Sequence, residues 1–166
     1  MEIRRRALGT LAAAGIAAGL VVVAAEPASA HTLCGSYRTV SVPIPTWFDQ
    51  QYKMRSCVYE YQGMGSRMDV TWYLNASFGT HNSVHLRPYI RRSDGYALWG
   101  DCDITAAINY EVTTGRHNTR SFTCYAPKIT YRSGYSYYAG GAVVDDVAND
   151  GKGAYTWYTY HSPNHY

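Results

Sequence analysis

From His31 onward the chain reads as short stretches in which apolar and polar positions alternate, the period-two signature of half-buried strands. In one, Met68, Val70, Trp72 and Leu74 share a face, with Asp69, Thr71, Tyr73 and Asn75 opposed. In another, Val84, Leu86 and Ile90 oppose His85, Arg87, Tyr89 and Arg91. Shorter runs predict strands at Tyr37 to Val42, Cys57 to Tyr61, Tyr96 to Trp99, Phe122 to Tyr131, Tyr135 to Val144 and Tyr155 to Tyr160. Ile104, Ala106, Ile108, Tyr110 and Val112 also alternate and predict a strand. Turn signals separate these runs at Asp94-Gly95, Thr114-Gly115, Gly134 and Asn149-Asp150-Gly151. Pro43 and Pro45 end the first strand or confine it to an edge, and Thr46 predicts one capped helical turn through Gln51. The pattern predicts an all-β domain with almost no helix: a single antiparallel β-sandwich or a distorted barrel. Its core should include Val70, Trp72, Leu86, Ile90, Ile104, Ile108 and Val143.

The first thirty residues follow a different rule. Arg4, Arg5 and Arg6 precede an apolar run from Leu11 to Ala25, and Ala28-Ser29-Ala30 supplies the small residues of a cleavage site. Residues 1–30 therefore read as a signal peptide, and 31–166 as one secreted, extracellular domain. The apolar run is too short for a membrane anchor, so no membrane span is expected after processing.

Export changes the reading of the four cysteines. In an oxidising compartment an even number predicts disulfides. Of the three connectivities, the near-equal separations favour Cys34–Cys57 and Cys102–Cys124. A zinc site is the rival, but no Cys-x-x-Cys occurs. A formal net charge of +3, with no basic run beyond the first residues, argues against nucleic acid.

Catalytic constellations are scarce. Gly-x-Ser-x-Gly is missing, and oxidised cysteines leave no thiol nucleophile. Asp101 and Asp103 flank Cys102 and read as solvated carboxylates rather than a hydrolase pair. The run Asp145-Asp146 to Gly151 suggests a calcium loop, yet with Gly151 at the sixth position Ala148 and Trp157 fall where ligands are needed. His81 and His85 have a metal-ligand spacing that holds on a helix and not on a strand. No cofactor and no metal are expected, His31 excepted.

Binding is the better expectation. The outward row His85, Arg87, Tyr89 and Arg91 interleaves cations with an aromatic ring, and Thr71 and Tyr73 are candidates to extend it. The aromatics of Tyr155 to Tyr160 fall on both faces of their strand, which predicts an exposed row. The sequence thus points to a secreted, non-catalytic binding or adaptor protein acting on a protein partner or a cell-envelope or extracellular polysaccharide. Val42-Pro43-Ile44-Pro45 is the one loop suited to the alternative of a secreted protease inhibitor.

Two resemblances add to this. Cleavage after Ala30 makes His31 the first residue, and in that feature and the β-sandwich the chain resembles copper polysaccharide monooxygenases. That likeness implies an alternative function, a copper enzyme built on His31. The signal peptide, the paired cysteines and Val144-Asp145-Asp146-Val147-Ala148-Asn149-Asp150-Gly151-Lys152-Gly153 resemble small exported, mostly uncharacterised β-proteins of actinobacteria. The adaptor subunit of umbrella toxin particles belongs to that company; the likeness implies an adaptor role and assigns no site residues.

Overall fold

The structure is a computed structural model that describes residues 31–42, 50–74, 79–115 and 119–166. Two antiparallel sheets face each other as an open sandwich, and among the described residues no strand closes them into a barrel. The first sheet contains β1 (Thr32–Cys34), β2 (Arg38–Ser41), β3 (Gln50–Glu60), β4 (Met64–Leu74) and, later in the chain, β8 (Arg120–Tyr125). The second contains β5 (His81–Arg92), β6 (Ala97–Trp99), β7 (Cys102–Asp103), β9 (Tyr137–Val147) and β10 (Tyr155–Tyr158). β4 is flanked by β3 and β8; β9 is flanked by β10 and β5, and β6 and β7 follow one another along the far edge of β5.

The alternation sets the packing. Met68, Val70, Trp72 and Leu74 of β4 point inward, as do Val84 and Leu86 of β5, and they meet Tyr52, Met54 and Val143 in the main core, while Ile90 of β5 packs in a second cluster with Val58, Met64 and Tyr137. All seven expected core residues are buried. Two of them arrive on a different element: Ile104 and Ile108 belong to the start of helix α1 (Thr105–Thr113), not to a strand. A spacing of four residues keeps side chains on one face of a strand and also of a helix. The exposed Ala106 and Ala107, with the buried Ile108 and Glu111, show that the helical period governs. Asp103 accepts hydrogen bonds from the Thr105 amide and hydroxyl at the helix entry. Gly115, at φ 62°, terminates it in the left-handed region, so the turn expected at Thr114-Gly115 ends a helix rather than a strand.

Several strand boundaries also differ from the pattern, three of them in ways that matter here. β3 begins at Gln50 rather than Cys57, so Gln50 and Gln51 are extended and not the end of a helical turn. The strand expected from Phe122 to Tyr131 spans Arg120–Tyr125, with Ile129 making only an isolated bridge to Met64. β10 ends at Tyr158. Most of the Val42 to Pro45 loop lies outside the described residues, and Val42 itself is buried.

Both disulfides have the expected connectivity. Cys34–Cys57 joins directly opposed residues of β1 and β3, within one sheet. Cys102–Cys124 joins β7 to β8 and so ties the two sheets together. Each is worth roughly 3 kcal/mol on the loop-entropy account.

A buried polar cluster closes one end of the sandwich. Asp145 of β9, fully buried, accepts hydrogen bonds from the Tyr52 hydroxyl at 2.8 Å and the Gln50 amide at 3.1 Å, and its other oxygen lies 2.6 Å from His81 Nδ1. Burial, then the adjacent Asp145 carboxylate, pushes the Tyr52 hydroxyl well above the usual tyrosine range. A register shift between His81 and Ser83 turns His81 inward while His85 stays outward, so the two histidines do not meet. Asp145 therefore serves the core, and the Asn149 to Gly151 segment is a turn with positive φ at both residues.

A candidate binding surface on the second sheet

Directly opposed residues in antiparallel strands point to the same side, so the register defines the outer face of the second sheet. Arg87 lies opposite Ala142, which lies opposite Tyr158; Tyr89 lies opposite both Gly140 and Trp99; Arg91 lies opposite Tyr138 and Ala97. The middle strand thus presents Val144, Ala142 and Gly140, small or aliphatic side chains flanked by large aromatic ones. The result is a trough. One part, of about 500 Å³, runs between Trp99 and Tyr158 over Arg87, Ala142 and Val144. A second, of about 350 Å³, lies beside Tyr89 and Arg91 and shares Trp99 and Tyr158 as walls.

The aromatic walls are held differently. Tyr89 lies flat against β9, possible because residue 140 is glycine: a Cβ there would sit 2.3 Å from Tyr89 Cζ. The Tyr89 ring packs 4.5 Å from Trp99, and its hydroxyl hydrogen-bonds His161 Nε2 at 2.8 Å. Burial and then the neighbouring Tyr138 raise the Tyr89 hydroxyl above its ordinary range. Trp99 and Tyr158 are 55% and 58% exposed, large for rings of their size. Gly100 follows Trp99 because the chain presses on β8 there, and a Cβ would meet the Tyr125 carbonyl oxygen at 2.3 Å.

The charges are partly balanced. Asp101 Oδ1 is 2.7 Å from His85 Nδ1, and Asp101 Oδ2 is 3.5 Å from Arg87 Nε. Both Arg87 and Asp101 are about half exposed, so the pair adds little to stability and remains available to a ligand.

Of the expected binding residues, His85, Arg87, Tyr89 and Arg91 line this one face. Tyr73 does not join them. It lies on β4 of the first sheet, pointing outward on the opposite side of the sandwich, and Thr71 beside it faces Ser121 at 3.3 Å. Trp99 and Asp101 were not expected as parts of the site, although the Asp94-Gly95 turn counts Trp99 into register with Tyr89. Among the described residues, no group of three or more His, Cys, Asp or Glu side chains is arranged to hold a metal ion, and no helix is long and apolar enough to cross a membrane. No family model matches the chain, and comparison with the curated proteins and with the solved structures gives no match.

Proposed function

We propose that the protein is exported and non-catalytic, and that it holds an extracellular or cell-envelope polysaccharide in the trough on the outer face of its second sheet. The observation that carries this reading is the pair of exposed rings, Trp99 and Tyr158, standing on either side of a floor of small side chains. A sugar ring has an apolar C–H face that stacks on such rings and a rim of hydroxyls that both donate and accept. Arg87 supplies donors and Asp101 acceptors at the trough edge, and Arg91 adds a cation for any carboxylate the polymer bears. Two disulfides suit life outside the cell.

The test is retention on insoluble cell-wall polysaccharide and retardation in gels cast with soluble polymer. Trp99→Ala with Tyr158→Ala should abolish both. Arg87→Ala with Arg91→Ala should weaken binding and its dependence on salt while leaving thermal unfolding nearly unchanged. Retention of the wild type by a protein from the producing culture, and by no polysaccharide, would replace this reading with that of a protein adaptor.

A further inference from the structure

A separate cleft lies at the end of the sandwich away from Asp145, where β5 finishes at Arg92. It has a volume of about 280 Å³ and is lined by three cations, Arg92, Lys128 and Arg132, with Tyr96, Leu98 and Thr130. No carboxylate lines it, and it shares no residue with the trough. The backbone that carries the cations is fixed. Ile129 is buried and exchanges backbone hydrogen bonds with Met64, both at 2.8 Å, which anchors Lys128 beside it. The Arg132 amide donates at 2.8 Å to the hydroxyl of the fully buried Tyr137. The Arg92 guanidinium lies 5.1 Å from the ring centre of Tyr96 and 4.9 Å from that of Tyr135.

Most of the donors on these cations are unused. Arg92 gives Nε and Nη2 to Asp94, at 3.0 and 2.7 Å, and keeps Nη1. Lys128 gives one of its three N–H groups to the Tyr61 carbonyl at 2.7 Å. The Arg132 side chain makes no hydrogen bond or ion pair among the described residues. With Asp94 set against Arg92, Lys128 and Arg132 leave two positive charges at the cleft without a counter-charge. A carboxylate is planar and is met by one guanidinium fork, whereas a phosphoryl group offers three acceptor oxygens. A phosphate monoester carries about −1.5 to −2 charges near pH 7, which matches the uncompensated charge.

We propose that this cleft binds a phosphate monoester, with Lys128 and Arg132 donating to its oxygens and Arg92 as the immobile cation. Tyr96, half exposed, offers its ring to the group that the phosphate is attached to. Because the backbone is already tied down, the site loses little freedom on binding beyond that of two side chains. The site stands on its own residues and does not rest on the polysaccharide reading of the trough.

The experiment is isothermal titration at constant ionic strength with inorganic phosphate, methyl phosphate, dimethyl phosphate and acetate. Inorganic and methyl phosphate should bind at one site per chain, and dimethyl phosphate and acetate at least about tenfold more weakly. Arg132→Ala and Lys128→Ala should each weaken methyl phosphate about tenfold, the loss of one charge-assisted hydrogen bond. Both residues are exposed, so thermal unfolding should hardly move. Arg87→Ala with Arg91→Ala should bind methyl phosphate as the wild type does, which separates this cleft from the trough. Gel retardation by phosphorylated dextran, with Trp99→Ala and Tyr158→Ala in place to silence the trough, distinguishes the sources. Retardation that Arg132→Ala relieves supports a polymer-borne phosphate, and methyl phosphate binding without retardation supports a small ester. Equal affinity of Arg132→Ala and the wild type, or acetate bound as tightly as methyl phosphate, would overturn the site.

Discussion

Gly140→Ala tests whether the trough depends on the way Tyr89 lies against the sheet. The added Cβ would fall 2.3 Å from Cζ, 2.4 Å from Oη and 2.7 Å from Cε1 of Tyr89. These atoms are the far end of a side chain on the outer face, so the ring must swing away while the strand pairing survives. The swing removes the hydroxyl bond to His161, worth about 1 kcal/mol, and the packing on Trp99, worth about another 1 kcal/mol. Alanine's lower unfolded-state entropy returns about 0.5 kcal/mol. The net loss should be about 1–2 kcal/mol, a fall of roughly 4–8 °C in Tm for a domain of this size. Gly65→Ala on the first sheet is the matched control, because its Cβ would meet Tyr59 Cζ at 2.5 Å in the same way. Thermal melts and polysaccharide retention should then diverge: both variants lose stability, and only Gly140→Ala loses binding. Intact binding by Gly140→Ala, with near-ultraviolet dichroism showing that Tyr89 has moved, would refute the role given to this ring.

Three further outcomes follow from the interior. Asp145→Asn should cost about 2–4 kcal/mol by urea denaturation, since the carboxylate accepts from Gln50 and Tyr52 and pairs with His81 in full burial. Tyr52 has a folded pKa raised above its unfolded value, so its contribution is complete below about pH 10 and is lost as pH rises beyond it; alkaline unfolding should be flattened in Tyr52→Phe. Removing Cys102–Cys124 by paired alanines should cost roughly 3 kcal/mol in denaturant, and peptide mapping without reductant should recover the two cross-links shown by the structure.

Much of the sandwich was legible because one face of each long strand is buried and the other is not. The row His85, Arg87, Tyr89 and Arg91 was readable for the same reason, since its inward partners Val84, Leu86 and Ile90 are unambiguous. What escaped did so for physical causes. The start of β3 is masked by Gln50, a polar residue at an inward position whose side-chain NH2 donates to the nearby Tyr52 hydroxyl and to Asp145, 95 residues further along the chain. The helix was misread because Ile104, Ile108 and Val112 fit both periods, and the glycine that ends it resembles one that turns a hairpin. Tyr73 was placed with the site because alternation tells which side of a strand a residue faces, not which sheet the strand joins.

The cross-sheet link between Cys102 and Cys124 has a bearing on the selectivity of the proposed polysaccharide site. β7 is two residues long and touches β5 through only two register pairs, too little to immobilise the segment that carries Trp99 and Asp101. The covalent tie and the press of Gly100 against the Tyr125 carbonyl hold that segment still. One wall of the trough is therefore fixed before any ligand arrives, and little conformational freedom remains to be lost on association. A rigid wall rejects what does not fit instead of moulding to it. Reduction would convert the same wall into an adaptable one, trading discrimination for tolerance of shape.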